Sequence, residues 1–180
     1  GSWKVLAKQE DSSDFAYVQT MMNPSISTAY ASFMKDVSVV DGVIEADIKV
    51  ESGTASQEEA YLFFRMNDAR TQGYAMMVNK SKWLYLYKVA SIIDAGRWNF
   101  TQLEYIDLPT SFDPYQYHTY TISLNGPSIS ISVDNVRRIV RSDMTYYDSN
   151  HDNVGIGTSQ TGGMVWFDNL ETKDSIAAVD

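Results

Sequence analysis

The chain has 180 residues, 44% of them hydrophobic and 13% aromatic, with a formal charge of −9 and no cysteine. That is one domain's length with a globular composition, and the charge excludes a phosphate backbone or an anionic bilayer surface as main partner, since either would repel it. Without cysteine there is no disulfide framework, thiolate metal site or thiol nucleophile.

The first strong pattern along the chain is GVIEADIKV (42–50), in which Val43, Glu45, Asp47 and Lys49 alternate with Ile44, Ala46, Ile48 and Val50. That is the period of a half-buried strand. AYLFFRM (60–66), GYAMMVN (73–79) and WLYLYKVA (83–90) follow, separated by the polar turns NDARTQ and NKSK. After DPYQ come YHTYTISLN (117–125) and SISISVDN (128–135), joined through the hairpin signal NGP. RRIVRSD, NVGIGTS and GMVWFDNLETK complete the series. No segment has an apolar stripe of period 3.6 longer than about two turns, or the roughly 18 apolar residues that cross a bilayer. The expectation is therefore an all-β chain of roughly ten or more strands in a two-sheet antiparallel sandwich. It forms one domain over residues 1–172, with 173–180 as a tail or linker.

This order of segments resembles the concanavalin A-like lectin/glucanase superfamily, and within it the laminin-G-like bacterial modules attached to carbohydrate-active enzymes. The resemblance is carried by VIEADIKV, YLFFRMND with GYAMMVN, LYLYKV, YHTYTISLNGPSISISVDN, NVGIGTS and MVWFDNLE, from about residue 37 to 172. It implies a jelly roll whose concave sheet, or the loops beside it, holds a saccharide. It also implies an ancillary, monomeric domain of a larger extracellular or cell-surface bacterial protein. The partners are then a glycan or polysaccharide and flanking domains, with no nucleic acid and no membrane insertion.

With Leu84 and Leu86 facing the second sheet, Trp83, Tyr85 and Tyr87 stand in a row about 6.6 to 7 Å apart, a spacing at which rings can stack sugar faces. The same parity turns Tyr61, Phe63 and Arg65 outward, and Tyr74 with Met76 onto the same open face. Arg65 would offer directional donors to hydroxyls or a carboxylate. Trp98, in DAGRWNFTQLEY, is a platform beside this face or a capping core residue. A single bulge would reverse the parity and place the rings in the core.

Members of the superfamily that hydrolyse glycans carry acidic residues on the concave face. Here EADIKVE sets Glu45 and Asp47 on one side, with Glu51 beyond. An extended strand separates Glu45 from Glu51 by about 20 Å, well outside the roughly 5 to 9.5 Å of glycosidase pairs. Glu45 and Asp47 alone suit the wider end of that range, and a hydrolase or lyase would use them; a solvated face with Lys49 as partner is the plainer reading. Asp148, Asn150 and Asp152 in DSNHDNVG open like a calcium loop, yet Asn153 stands where Gly is usual and Ser159 where a bidentate Glu belongs, so a polar hairpin competes. The resemblance implies a structural calcium near the first and last strands, with Asp168 of WFDNLE as a ligand and Glu10 or Asp11 as its partner. His118 reads as a structural strand residue. The reading is a non-catalytic carbohydrate-binding module, with a hydrolase or lyase and an adhesive module as alternatives.

Overall fold

The alternating segments become strands in the computed structural model, which describes residues 3–8, 13–19, 30–51, 58–90, 98–159 and 164–174. Among these residues there are thirteen strands and no helix: β1 (Trp3–Ala7), β2 (Phe15–Gln19), β3 (Tyr30–Phe33), β4 (Gly42–Val50), β5 (Glu59–Asn67), β6 (Gly73–Asn79), β7 (Trp83–Ala90), β8 (Asn99–Asp107), β9 (His118–Asn125), β10 (Ser128–Val133), β11 (Val136–Ser142), β12 (His151–Thr158) and β13 (Val165–Asp174). A seven-stranded sheet runs β1-β2-β13-β4-β9-β10-β11, and a six-stranded sheet runs β3-β12-β5-β6-β7-β8. Every pairing is antiparallel. β13 stays paired with β4 through Lys173 and Asp174, so it continues into the stretch expected as a tail.

The core lies between the sheets. Ile44, Ala46, Ile48 and Val50 of β4 are buried while Val43, Glu45, Asp47 and Lys49 are half-exposed, as the alternation requires. Facing them are Leu62, Phe64, Met76, Leu84 and Leu86 of the six-stranded sheet. Each such side chain contributes about 1.5 to 3 kcal/mol by leaving water. The β10–β11 hairpin closes through Asp134 and Asn135 at φ 51° and 63°, the doubly left-handed turn whose twist matches the flanking strands.

β5 and β6 are buried on both faces, because a second apolar layer covers the outside of their sheet. Leu62 and Phe64 face inward and Tyr61 and Phe63 outward as expected, but two other expectations need correction. Register pairs Leu62 with Met76 and Phe64 with Tyr74, so Tyr74 and Met76 point into the core instead of onto the open face. Arg65 is not on that face either. Its backbone turns left-handed at φ 45° and its side chain is fully buried at one end of the sandwich. There Nε donates to Val40 O at 2.9 Å, and Nη2 donates to Gly126 O at 2.6 Å and to Asp41 Oδ1 at 3.2 Å.

The Tyr74 hydroxyl is satisfied inside that end of the sandwich: it donates to Asp143 Oδ1 at 2.7 Å and accepts from the Tyr146 N–H at 3.3 Å. Burial alone would raise the Asp143 carboxyl, but hydrogen bonds from Thr145 and Tyr74, with the Lys88 ammonium at 3.6 Å, outweigh it and hold the carboxyl down to about 2. Its ordinary value is 3.8. A depressed carboxyl stabilises the fold above the unfolded value, and that contribution is lost as pH falls through the window between the two, here about 2 kcal/mol. Urea titrations from pH 6 to 2 should show Asp143→Asn with a flatter acid limb than the parent chain.

Glycines let the outer layer lie flat on β12. A Cβ on Gly157 would sit 2.6 Å from Phe63 Cε2 and 2.8 Å from Tyr30 O, and one on Gly155 would sit 2.6 Å from Phe33 Cδ1. Since the backbone of Tyr30 cannot move aside cheaply, Gly157→Ala is expected to destabilise by about 2 kcal/mol, measured as a lower urea midpoint at unchanged slope.

Candidate functional site

The outer face of the six-stranded sheet is built in rows. Strand register places Glu59, Asn79, Trp83 and Asp107 side by side across β5 to β8, followed by Tyr61, Met77, Tyr85 and Tyr105, then Phe63, Ala75, Tyr87 and Gln102. Trp83, Tyr85 and Tyr87 face outward because Leu84 and Leu86 between them are in the core. Tyr105 joins them through a bulge: Leu86 pairs with Glu104 and Tyr87 with Gln102, leaving Leu103 as the extra residue and resetting the parity of β8.

The rings do not offer three equal flat faces. Tyr85 and Tyr87 stack on one another at 5.2 Å and 8°, so each occupies a face of the other. Trp83 stands edge-on to Tyr85 and to Tyr105, both at 6.4 Å, and is 39% exposed. Its indole is the open surface of the cluster. Farther along, Tyr61 stacks on Phe100 at 5.4 Å and Trp98 packs on Phe63 at 4.6 Å, donating its indole N–H to Arg70 O at 3.1 Å. Trp98 is therefore half-buried in the outer layer.

Two carboxylates edge the first rows. Tyr61 Oη donates to Glu59 Oε2 and Tyr105 Oη to Asp107 Oδ1, each at 2.6 Å. Hydrogen bonding to the carboxylate pushes the Tyr105 hydroxyl up to about 12; burial, then the Glu59 charge, raises that of Tyr61. Both phenols are held as donors at neutral pH. Glu59 and Asp107 lie three strands apart, about 14 Å at a spacing of about 4.8 Å per strand, too far for a glycosidase pair.

Glu45 and Asp47 are on the opposite outer surface, that of the seven-stranded sheet. Thr121 Oγ1 donates to Glu45 at 3.0 Å, while Thr119 Oγ1 and Asn169 Nδ2 donate to Asp47 at 2.6 and 2.8 Å. The thickness of the sandwich separates this pair from the rings. Lys49 Nζ lies over the rings of Tyr117 and Trp166 at 5.4 and 5.7 Å.

At the two places expected for calcium the carboxylates meet side chains and backbone donors of the chain itself. Asp168 is ion-paired with Lys8, which also pairs with Asp14 at 2.6 Å. Asp148 accepts from the Asn150 N–H at 2.8 Å and sits 2.9 Å from His151 Nδ1, whereas Asp152 accepts from Ser38 Oγ at 2.5 Å. Asn150 is exposed. Among the described residues no three acidic or histidine side chains converge. These donor sets do not fit a calcium ion as they stand, and Glu10 and Asp11 lie outside the described residues. His118 is structural: it stacks on Phe112 at 4.0 Å, with Nδ1 2.7 Å from Asp134 Oδ2 and Nε2 2.8 Å from Asp113 O.

A cavity of about 330 Å³ opens between the sheets, lined by Tyr17, Ser32, Met34, Ile156, Phe167 and Leu170 among others. Its wall is mostly apolar, with Ser32, Asp168 and Asn169 as the polar side chains.

The sequence matches no protein-family model and no curated protein. Solved structures do match its shape. The carbohydrate-binding module CBM66 from Bacillus subtilis is 16% identical and superimposes with a TM-score of 0.64 over 96% of this chain and 92% of its own. A Bacteroides ovatus mixed-linkage glucan GH16 protein in complex with product is 16% identical, at a TM-score of 0.67 over 95% and 85%. Sheep galectin-11, in complex with glycerol, is 11% identical at 0.55 over 83% and 100%. The fold is thus a two-sheet antiparallel jelly roll of the concanavalin A-like type.

Proposed function

We propose that this chain is a non-catalytic carbohydrate-binding module, an ancillary domain of a larger extracellular or surface protein, and that it holds its glycan on the outer face of β5 to β8. The observation that carries this reading is the exposed Trp83 indole set in a wall of tyrosines, with the Asp107 carboxylate on the next strand and that of Glu59 farther along the same row. The open part of the indole is a flat apolar surface that a ligand can cover. The axial C–H groups of a pyranose stack on such a ring, and hydroxyls at the sugar's rim donate to the carboxylates. Affinity is modest, because an open face gives up its water to bind; a tethered enzyme or repeated modules compensate. A fold shared with binding modules and with hydrolases is compatible with this reading without selecting it.

Separation of the rings from Glu45 and Asp47 supports a binder over a hydrolase. Incubation with a panel of neutral and charged polysaccharides, read for both binding and released reducing ends, tests the point. Binding without product is expected, with Glu45→Gln and Asp47→Asn leaving it unchanged. Release of reducing ends that Asp47→Asn abolishes would overturn the non-catalytic reading.

A further inference from the structure

We propose, on the carbohydrate-binding reading above, that the glycan is amine-bearing: a de-N-acetylated hexosamine chain held as a cation over Trp83. In the row Glu59, Asn79, Trp83, Asp107, the Asp107 carboxylate is on the strand next to the most exposed ring of the face, and Glu59 is two strands away on its other side, about 10 Å at about 4.8 Å per strand. Each carboxylate spends one oxygen on a tyrosine hydroxyl, Tyr61 on Glu59 Oε2 and Tyr105 on Asp107 Oδ1. The other oxygen of each has no partner among the described residues. The neighbouring lysines are committed elsewhere, Lys80 to the buried Glu58 at 3.8 Å and Lys82 to Thr110 O at 2.7 Å. They do not cover either carboxylate.

A protonated amine above the indole meets the negative face of the ring, and the two carboxylates pull in the same direction. A neutral sugar donates its hydroxyls to the same acceptors but carries no net charge for them to attract. A uronate or sulfate placed there opposes two like charges in a domain whose formal charge is already −9. Asp107 and Glu59 are therefore specificity-determining residues, sorting ligands by charge while the ring sorts them by shape.

Calorimetric titration at mildly acid pH, where the amine is charged, separates these terms. The probes are chitosan hexasaccharide, its N-acetylated counterpart of the same backbone, oligogalacturonate, cellohexaose and tetralysine. In about 20 mM salt the chitosan oligomer should bind about fivefold more tightly than the N-acetylated one, the ratio shrinking toward one in about 0.5 M salt. Oligogalacturonate should bind weakest of the sugars. Asp107→Asn keeps an acceptor for Tyr105 and should remove most of the chitosan preference. A ratio at or below one, or a ratio that survives Asp107→Asn combined with Glu59→Gln, would overturn the proposal. So would tetralysine binding as tightly as the chitosan oligomer, since charge alone would then suffice. If cellohexaose or the N-acetylated oligomer binds while the amine adds nothing, only the charge preference falls. If no sugar binds in any charge state, the carbohydrate-binding reading falls with it.

Discussion

Arg65→Ala is expected to lower the melting temperature by about 10 °C, the consequence of losing about 3 to 5 kcal/mol when one partner of a buried ion pair is removed. The Arg65 side chain is fully buried and Asp41 is 30% exposed, so the guanidinium has no water to replace its partners. It ties β5 to the segment before β4 through Val40 O and Asp41, and to the β9–β10 turn through Gly126 O. The Tyr147 ring lies 4.9 Å from the guanidinium carbon, and Tyr147 Oη donates to Asp41 Oδ2 at 3.2 Å. Removing the guanidinium takes the side-chain donor from the Val40 and Gly126 carbonyls, while Asp41 keeps the Gly126 N–H at 2.8 Å and the Tyr147 hydroxyl. Arg65→Lys keeps the charge without the planar fork and should recover only part of the loss. Neither change should alter glycan affinity, because Arg65 does not reach the outer face. A loss below about 1 kcal/mol would show that these contacts are not what closes this end of the sandwich.

Trp83→Ala should weaken glycan binding about 30-fold, the scale of about 2 kcal/mol for a tryptophan anchor at the centre of a contact. Because the ring is 39% exposed and packs only edge-on to its neighbours, the same substitution should cost little stability. That split is the diagnostic feature. Trp98→Ala is expected to do the opposite, since Trp98 lies against Phe63 at 4.6 Å and supports the layer from within. Affinity unchanged in Trp83→Ala, in a chain that otherwise binds sugar, would place the ligand elsewhere.

Fold class could be read from the chain because several strands are apolar on one side alone. β4 and β7 state their inward residues directly: Ile44, Ala46 and Ile48 in one, Leu84 and Leu86 in the other. β6 could not be read in this way, being covered on both faces, and Tyr74 falls on the other side from the one expected; in β5 the inward Leu62 and Phe64 and the outward Tyr61 and Phe63 were legible, and only the left-handed backbone at Arg65 breaks the alternation. Tyr105 escaped notice for a different reason. Alternation counted straight along NFTQLEYID sets Phe100 and Tyr105 on opposite faces, and only the extra residue at Leu103 brings both outward. The row spacing of Trp83, Tyr85 and Tyr87 was legible; their mutual stacking depends on rotamers and on Met77 and Tyr105 across the sheet, about which a one-dimensional pattern is silent. The calcium expectation rested on spacing at Asp148, Asn150 and Asp152 and on the resemblance at Asp168, and neither carries the contacts that Lys8 and His151 make with Asp168 and Asp148.

The placement of the glycan can be read from an amide and indole N–H NMR titration with whichever oligosaccharide binds. The largest shifts are predicted at the Trp83 indole and at the backbone of β7 and β8 around Tyr85 and Tyr105. The Trp166 indole and the β4 amides around Glu45 and Asp47 should stay still. Shifts centred on β4 and Trp166, with the Trp83 indole unmoved, would contradict the account.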